Sequence, residues 1–429
     1  MKAAETTVRA IARLPRPVAL AACVAVLIVN LGALAYGAFG NPIQNFDMLG
    51  YAGAILDHFE DDPAAIHGEA YDALEAYIGG SRDWRAITDA SQYRRDMAAD
   101  PEIFYSVIPF YQVKPLFNLA TWIVSAFANL TFSTILVSWI AVTAFTIGFF
   151  VFAASERAYG LFLLSWPMFI GAGVLDIART GTPDGLAFAL AAGGALGLMA
   201  ERRTAGWTLL ALSTLARPDN LLLVIAAAAV FALRGDAGTR IRAGLAVAAS
   251  IAVYVLVTRA YGHYGYWPHF MLTFHNEVGM DMRAFAEPYD PMTHALTVFD
   301  GIKHLFIQSY FGLFVVATVL LALLWADPRR EGLTTADKIA IAAVLFFLAR
   351  FALFPLHQIR FGALPTFLVL LALAASVLAM LPRPAAAAAP GVVSEPDADE
   401  PPDRDTEPAE SEPPAADDGI SPLPARDPA

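Results

Sequence analysis

An all-α fold, a polytopic bundle of transmembrane helices, is what the sequence predicts, and three observations predict it. Hydrophobic residues make up 57% of the 429 and charged residues 16%, with a mean hydropathy of +0.53, so most of the chain requires lipid as its solvent. Apolar runs recur along the whole length, and short connectors rich in arginine separate them. The net charge of −12 says little about a partner, because roughly the last 45 residues hold about twelve acids against two arginines. The single cysteine, Cys23, lies in the first apolar run, which rules out an intramolecular disulfide.

Residues 1–16 carry Lys2, Arg9, Arg13 and Arg16 and read as a basic cytoplasmic N-terminus, followed by a transmembrane domain over 17–383. The run from Pro17 to about Phe39 is long enough to span, since about 20 apolar residues cross the hydrocarbon. A cleaved signal ending near Ala33 to Ala35 is the competing reading, and the lack of a polar region before that point argues against it. A long wet loop comes next, from about Asn41 to Lys114, within an outer segment bounded at 40–131. Its richness in Tyr, Phe, Trp, Ile and Leu predicts a loop folded onto the membrane surface with juxtamembrane helices. The run 115–130, opened by Lys114-Pro115, reads as an interfacial or re-entrant helix.

The remaining runs are 132–153, 158–176, 184–200, 206–216, 219–233, 241–261, 301–325, 337–354 and 361–381. If each spans and 115–130 does not, the connectors with Arg157, Arg202, Arg203, Arg234, Arg240, Arg242, Arg329, Arg330, Lys338 and Arg383 all face the cytoplasm, the positive-inside pattern. About ten spans follow, with both termini cytoplasmic. The outer face then holds the wet loop, A-R-T-G-T-P-D-G-L (Ala178 to Leu186), L-A-R-P-D-N-L (Leu215 to Leu221), a second outer loop over 262–300, and P-L-H-Q-I-R-F (Pro355 to Phe361). From 384 to 429 an acidic Pro/Ala-rich composition predicts a disordered cytoplasmic tail. No period of 20 to 50 residues repeats, so neither a solenoid nor a duplicated transporter is supported.

Ionisable groups beside membrane spans are the candidates for chemistry. Asp47 stands just outside the first span, where it also suits an N-cap for a helix over Met48 to Phe59. Asp184, in T-G-T-P-D-G-L, sits where a turn or helix start is equally well served. Two carboxylates on one face can be driven to different pKa values and divide the roles of base and orienting group. Lys114, Arg217 and Arg360 also fall on the outer face; each is able simply to snorkel, but together they match what a lipid-linked phosphate requires. Tyr111 and His357 flank these cations and are counted with them as substrate-binding. His263, His269, His275, His294, His304 and His357, with Glu277 and Asp290, match no ligand spacing, so neither a metal nor another cofactor is expected. The sequence has no P-loop, H-E-x-x-H or G-x-S-x-G motif, and no basic–aromatic patch for nucleic acid.

In order and spacing these motifs resemble the GT-C superfamily of membrane glycosyltransferases, in particular the lipid-A aminoarabinose transferases and the protein O-mannosyltransferases. The matching residues are Asp47 in N-F-D-M-L-G-Y, Lys114 with Pro115, Asp184 in T-P-D-G-L, Arg217-Pro218, and a weaker echo at Arg360-Phe361, over roughly residues 17–235. The resemblance implies inverting transfer of a sugar from a polyprenyl-phosphate donor to a hydroxyl of a lipid, glycan or protein, on the outer face of a bacterial inner membrane. It casts Asp47 as general base, Asp184 as orienting acid, and Lys114, Arg217 and Arg360 as the grip on the phosphate. The chain departs from the pattern in lacking the Asp-Glu dipeptide of the mannosyltransferases, with Phe46-Asp47-Met48 in its place. A transporter or flippase for a lipid or small anion is the alternative, and a structural subunit of an envelope complex is a third reading. A transferase needs its charges gathered at one membrane face, a transporter needs some near the midplane, and a structural subunit would leave Asp47 and Asp184 apart.

Overall fold

A computed structural model describes residues 15–233, 235–275, 281–326 and 332–380, all within one compact unit. Lys2, Arg9, Arg13, Arg234, Glu277, Arg329, Arg330, Arg383 and the 384–429 tail lie outside the described residues. The described chain is helical, with no strand; the one β-bridge joins Ile43 to Thr180.

The first candidate span, α1 (Arg16–Ala35), ends in a π-helical turn, Tyr36–Gly40. Asn30, buried in its middle, donates its amide N–H to Ser165 Oγ at 2.9 Å, which ties this helix to the start of the Ser165–Ala172 helix away from water. The wet loop is folded, as its composition predicts. It comprises α2 (Asp47–Leu56), α3 (Pro63–Ile78), α4 (Arg82–Thr88), α5 (Gln92–Ala99), α6 (Pro101–Val107) and α7 (Pro109–Gln112). Asp62, Ser81, Ser91 and Asp100 cap four of these helices through their side chains, and proline opens α3, α6 and α7. The loop owns a hydrophobic core around Leu49, Ile66, Leu74, Met97, Phe104 and Ile108. Met282, from a 3₁₀ turn in the second outer loop, completes that core, and its N–H donates to Ser106 Oγ at 3.1 Å.

After α8 (Pro115–Ser125) the bundle helices are α9 (Leu130–Ser155), α10 (Tyr159–Leu163), α11 (Ser165–Ala172), α12 (Val174–Ala178), α13 (Asp184–Met199), α14 (Arg203–Ala216), α15 (Asn220–Leu233) and α16 (Ala237–Ala260). They continue with α17 (Tyr266–His275), α18 (Pro291–Leu305), α19 (Ser309–Trp325), α20 (Thr335–Leu353) and α21 (Ile359–Ala379). At 11 residues α8 is only about 16 Å long, too short to cross. Four elements are individually long and apolar enough to cross a membrane: α1 with its π turn, α9, α16 and α21; the bent pair α18–α19 is a fifth candidate.

Two of the expected runs are not single helices. The run 158–176 is broken at Leu164 and at Gly173, whose φ of +75° is a left-handed conformation. The run 301–325 turns by 87° at residues 306–308, and its first part belongs to a helix that starts at Pro291, inside the segment expected as an open outer loop. Helix length therefore supports four or five crossings directly.

Phe104, fully buried against Tyr71 and His67, holds the core of the loop between α1 and α8 together. Phe104→Ala should cost about 3–5 kcal/mol of local stability. Limited proteolysis in detergent checks this, with cleavage between residues 57 and 112 rising while the spans stay intact.

Candidate active site

Asp47 reaches the site because its strand of approach is pinned. The Ile43 N–H donates to the Arg179 carbonyl at 2.8 Å, and Arg179 Nη1 returns a bond to Asn41 O at 3.1 Å. As the first residue of α2, Asp47 does not cap the helix as the sequence suggested; the capping position is Phe46, with no side-chain bond. The carboxylate has charged company instead. Arg360 Nη1 donates to Oδ2 at 2.5 Å, and the Tyr111 hydroxyl lies 3.4 Å from Oδ1. Tyr111 can cross α2 only because Gly50 lacks a side chain, since a Cβ there would sit 2.4 Å from the phenol ring.

Asp184 begins α13 at 6% exposure and is ion-paired to Arg217 Nη1. Arg217, at the C-terminal end of α14, also grips Asp219 with two parallel bonds, Nε to Oδ1 and Nη2 to Oδ2, both 2.9 Å. Asp219 Oδ2 takes a further bond from Arg350 Nε at 2.7 Å, and Arg350 Nη1 donates to the Phe361 carbonyl at 2.8 Å. The Phe361 ring lies against three guanidinium groups at once, with Arg350 at 4.3 Å, Arg360 at 4.7 Å and Arg217 at 5.0 Å from its centroid. This ring joins the Asp47–Arg360 pair to the Asp184–Arg217–Asp219–Arg350 network.

Lys114 is the fourth cation. Its Nζ donates to the Phe110 carbonyl at 2.5 Å and lies over the rings of Tyr111 (5.3 Å) and Tyr51 (5.6 Å). Among the described residues it forms no ion pair. Burial and the nearby Arg217 charge push its pKa down to about 8. Burial opposes ionisation of Asp47, yet Arg360 and Lys114 hold its carboxyl below the ordinary value. Asp219 behaves likewise, with burial outweighed by Arg217 and Arg350. Four cations thus face three carboxylates, which suits an anionic ligand. The cleft among Asp184, Arg217, Asp219, Arg350, Arg360 and Phe361 has a volume of about 20 Å³, roughly room for one water.

Of the residues singled out from sequence, Asp47, Asp184, Lys114, Arg217, Arg360 and Tyr111 come together. His357 does not join them: its ring stacks on His304 at 5.1 Å, and only its carbonyl is engaged inward, by the Tyr310 hydroxyl at 2.9 Å. His263 and His269 pack on Phe110 beside Lys114, and burial lowers their pKa values to about 4 and about 3, so neither adds charge. No group of three or more His, Cys, Asp or Glu suited to a metal occurs among the described residues. Sequence reasoning missed Asp219 and Arg350. An arginine near the end of the apolar run L-F-F-L-A-R-F-A-L was the available signal for Arg350, by the same rule that flagged the others.

Removing Asp219 leaves two buried guanidinium groups short of their shared partner. Asp219→Ala should therefore destabilise the protein by about 3–5 kcal/mol. Thermal unfolding in detergent measures it, and adding Arg350→Gln to Asp219→Ala should recover part of the loss. Neither a protein-family model, a curated protein sequence nor a solved structure matches this chain.

Proposed function

We propose that the protein is a GT-C-like membrane glycosyltransferase that moves a sugar from a polyprenyl-phosphate donor to a hydroxyl of a lipid, glycan or protein at the outer face of the bacterial inner membrane. The observation that carries the reading is the gathering of Asp47 and Asp184 with four cations, from residues as much as 313 positions apart, into one cluster. The alternative, a transporter or flippase, is less well served by charges collected at one end of the helices.

The topology that goes with this reading has ten crossings: α1, α9, the broken α10–α12, α13, α14, α15, α16, α19, α20 and α21, with both termini cytoplasmic. Two features favour it. Every clustered residue then falls on the outer side, including Asp219 and Arg350. At the opposite end of α14, Arg203 pairs with Asp236 at 3.0 Å and bonds Thr239 at 3.1 Å, where the positive-inside rule puts the cytoplasm.

In the proposed reaction the donor phosphate lies against Lys114, Arg217 and Arg360. A phosphate that draws Arg360 to itself loosens the Arg360–Asp47 pair and frees the carboxylate to act as base. Asp47 takes the proton of the acceptor hydroxyl, the acceptor oxygen bonds to the anomeric carbon from the face opposite the phosphate, and the carbon–oxygen bond to phosphate breaks. Its electron pair stays on the phosphate oxygen, where the fixed cations stabilise it. Asp184, held by Arg217, orients rather than accepts a proton.

Asp47→Asn should lower transfer by about 100- to 10,000-fold while donor binding persists; full activity in that variant removes Asp47 from the mechanism. Lys114 is charged below its lowered pKa and loses its proton as pH rises through about 8, so binding of polyprenyl phosphate to the purified protein should weaken over that range. Lys114→Arg, whose charge persists, should abolish the decline. For the function itself, the lipid-linked glycans of a deletion strain decide: an accumulated donor or an underglycosylated acceptor supports the transferase, and an unchanged profile opposes it.

A further inference from the structure

One helix of the second outer loop turns an apolar stripe outward that no other element covers among the described residues. On α18, Met292 is 65% exposed, Leu296 60% and Phe299 60%, with Ile302 after them, and Phe306, the residue that caps the helix, is 73% exposed. These positions recur at intervals of three and four residues, so they form one continuous strip along the helix. Asp300 and His304 stand at its edge, with His304 Nδ1 3.2 Å from the Asp300 carboxylate. Lys303 falls on the same face, four residues after Phe299: its ammonium lies over the Phe299 ring at 4.9 Å and reaches Asp300 at the edge of the strip at 3.7 Å, the geometry of a snorkelling lysine.

The orientation of this helix identifies what covers the strip. It meets α19 at 87°, and α19 is an apolar helix of 17 residues, about 25 Å, at the short end of what crosses a bilayer. If α19 runs along the membrane normal, α18 runs in the membrane plane. We propose that α18 lies flat in the headgroup–acyl boundary of the bilayer with the Met292–Phe306 strip turned into the lipid, and that it thereby sets the depth of the turn at 354–358 that leads into Arg360 at the start of α21. The second clause rests on contacts from this region to the end of α20 and the turn beyond. His294 Nε2 lies 3.1 Å from the Ala352 carbonyl, the Tyr266 hydroxyl donates to the Leu353 carbonyl, and the His304 ring stacks on His357, three residues before Arg360. The Tyr289 hydroxyl bonds the other His294 nitrogen at 2.8 Å and fixes that ring. The inference does not depend on the transferase reading.

Site-directed spin labelling tests it in the full chain, reconstituted in phosphatidylethanolamine–phosphatidylglycerol vesicles. Cys23, the only cysteine, is first replaced by Ala, and single cysteines are placed at Met292, Leu296, Phe299, Ile302 and Phe306, with Asp300 and His304 as edge positions. The strip labels should all lie at one depth, about 5–10 Å below the headgroups, with the edge labels several-fold more accessible to aqueous nickel. A helix that crossed would instead shift depth by roughly 21 Å between Met292 and Phe306, and that trend would overturn the proposal. So would uniformly water-accessible labels, or spin–spin broadening relieved by dilution with unlabelled protein, which would mark a second copy on the strip. A label at Leu356 reads the second clause: Leu296→Asp with Phe299→Glu should raise its nickel accessibility several-fold, and an unchanged signal would refute the depth-setting role. If the doubly charged variant fails to insert, Leu296→Ala with Phe299→Ala makes the same comparison.

Discussion

Seven ionisable side chains at one end of an apolar bundle are tolerable only because they lie against one another. Taking a carboxylate or a guanidinium out of water costs several kcal/mol, and an unpartnered one would neutralise or drag water inward. Here Asp219 is shared by two arginines, Asp184 is bound to one of them, and Asp47 is bound to a third. The Phe361 ring lies within 5.0 Å of all three guanidinium groups and attracts each through its π face. Because these charges come from the first outer loop, the start of α13, the α14–α15 junction, α20 and α21, their mutual need fixes how those elements meet. The packing of greasy helices alone leaves much of that arrangement undetermined, since lipid tails solvate leucine as well as another helix does.

The outer loop matters to this arrangement because it is a folded body. Its helices are capped by their own side chains and packed on a core that borrows Met282 from the second outer loop. The rigid result places Asp47 and Tyr111, at its two ends, on the same side of α2, and holds Lys114 by a carbonyl of α7. A lysine held by a carbonyl and two aromatic rings, with no carboxylate partner among the described residues, supplies the surplus positive charge of the cluster.

Much of this was legible in the sequence. Hydropathy located the apolar segments, and the parity expected from the basic connectors put Asp47, Lys114, Asp184, Arg217 and Arg360 on one face; the structure brings these five side chains together. What escaped were features decided by tertiary contact. Asp47 reads as a helix cap until Arg360 arrives from 313 residues away to engage its carboxylate. Arg350 lies within a continuous apolar run, and Asp219 looks like a turn residue beside Arg217; each acquires meaning only through the other. His357 stands near Arg360 in sequence, but its ring turns to His304. The breaks in 158–176 and the bend in 301–325 were hidden because hydropathy registers composition and not direction.

Gly173 illustrates how far the site's dependence extends. Its left-handed backbone ends α11, and a Cβ there would fall 2.5 Å from Ile359, the residue preceding Arg360. Nothing at position 173 touches a charged group. A random mutagenesis screen for loss of function should nevertheless recover lesions at this codon alongside those at the acids and arginines, and classify a steric defect in the scaffold as a chemical one.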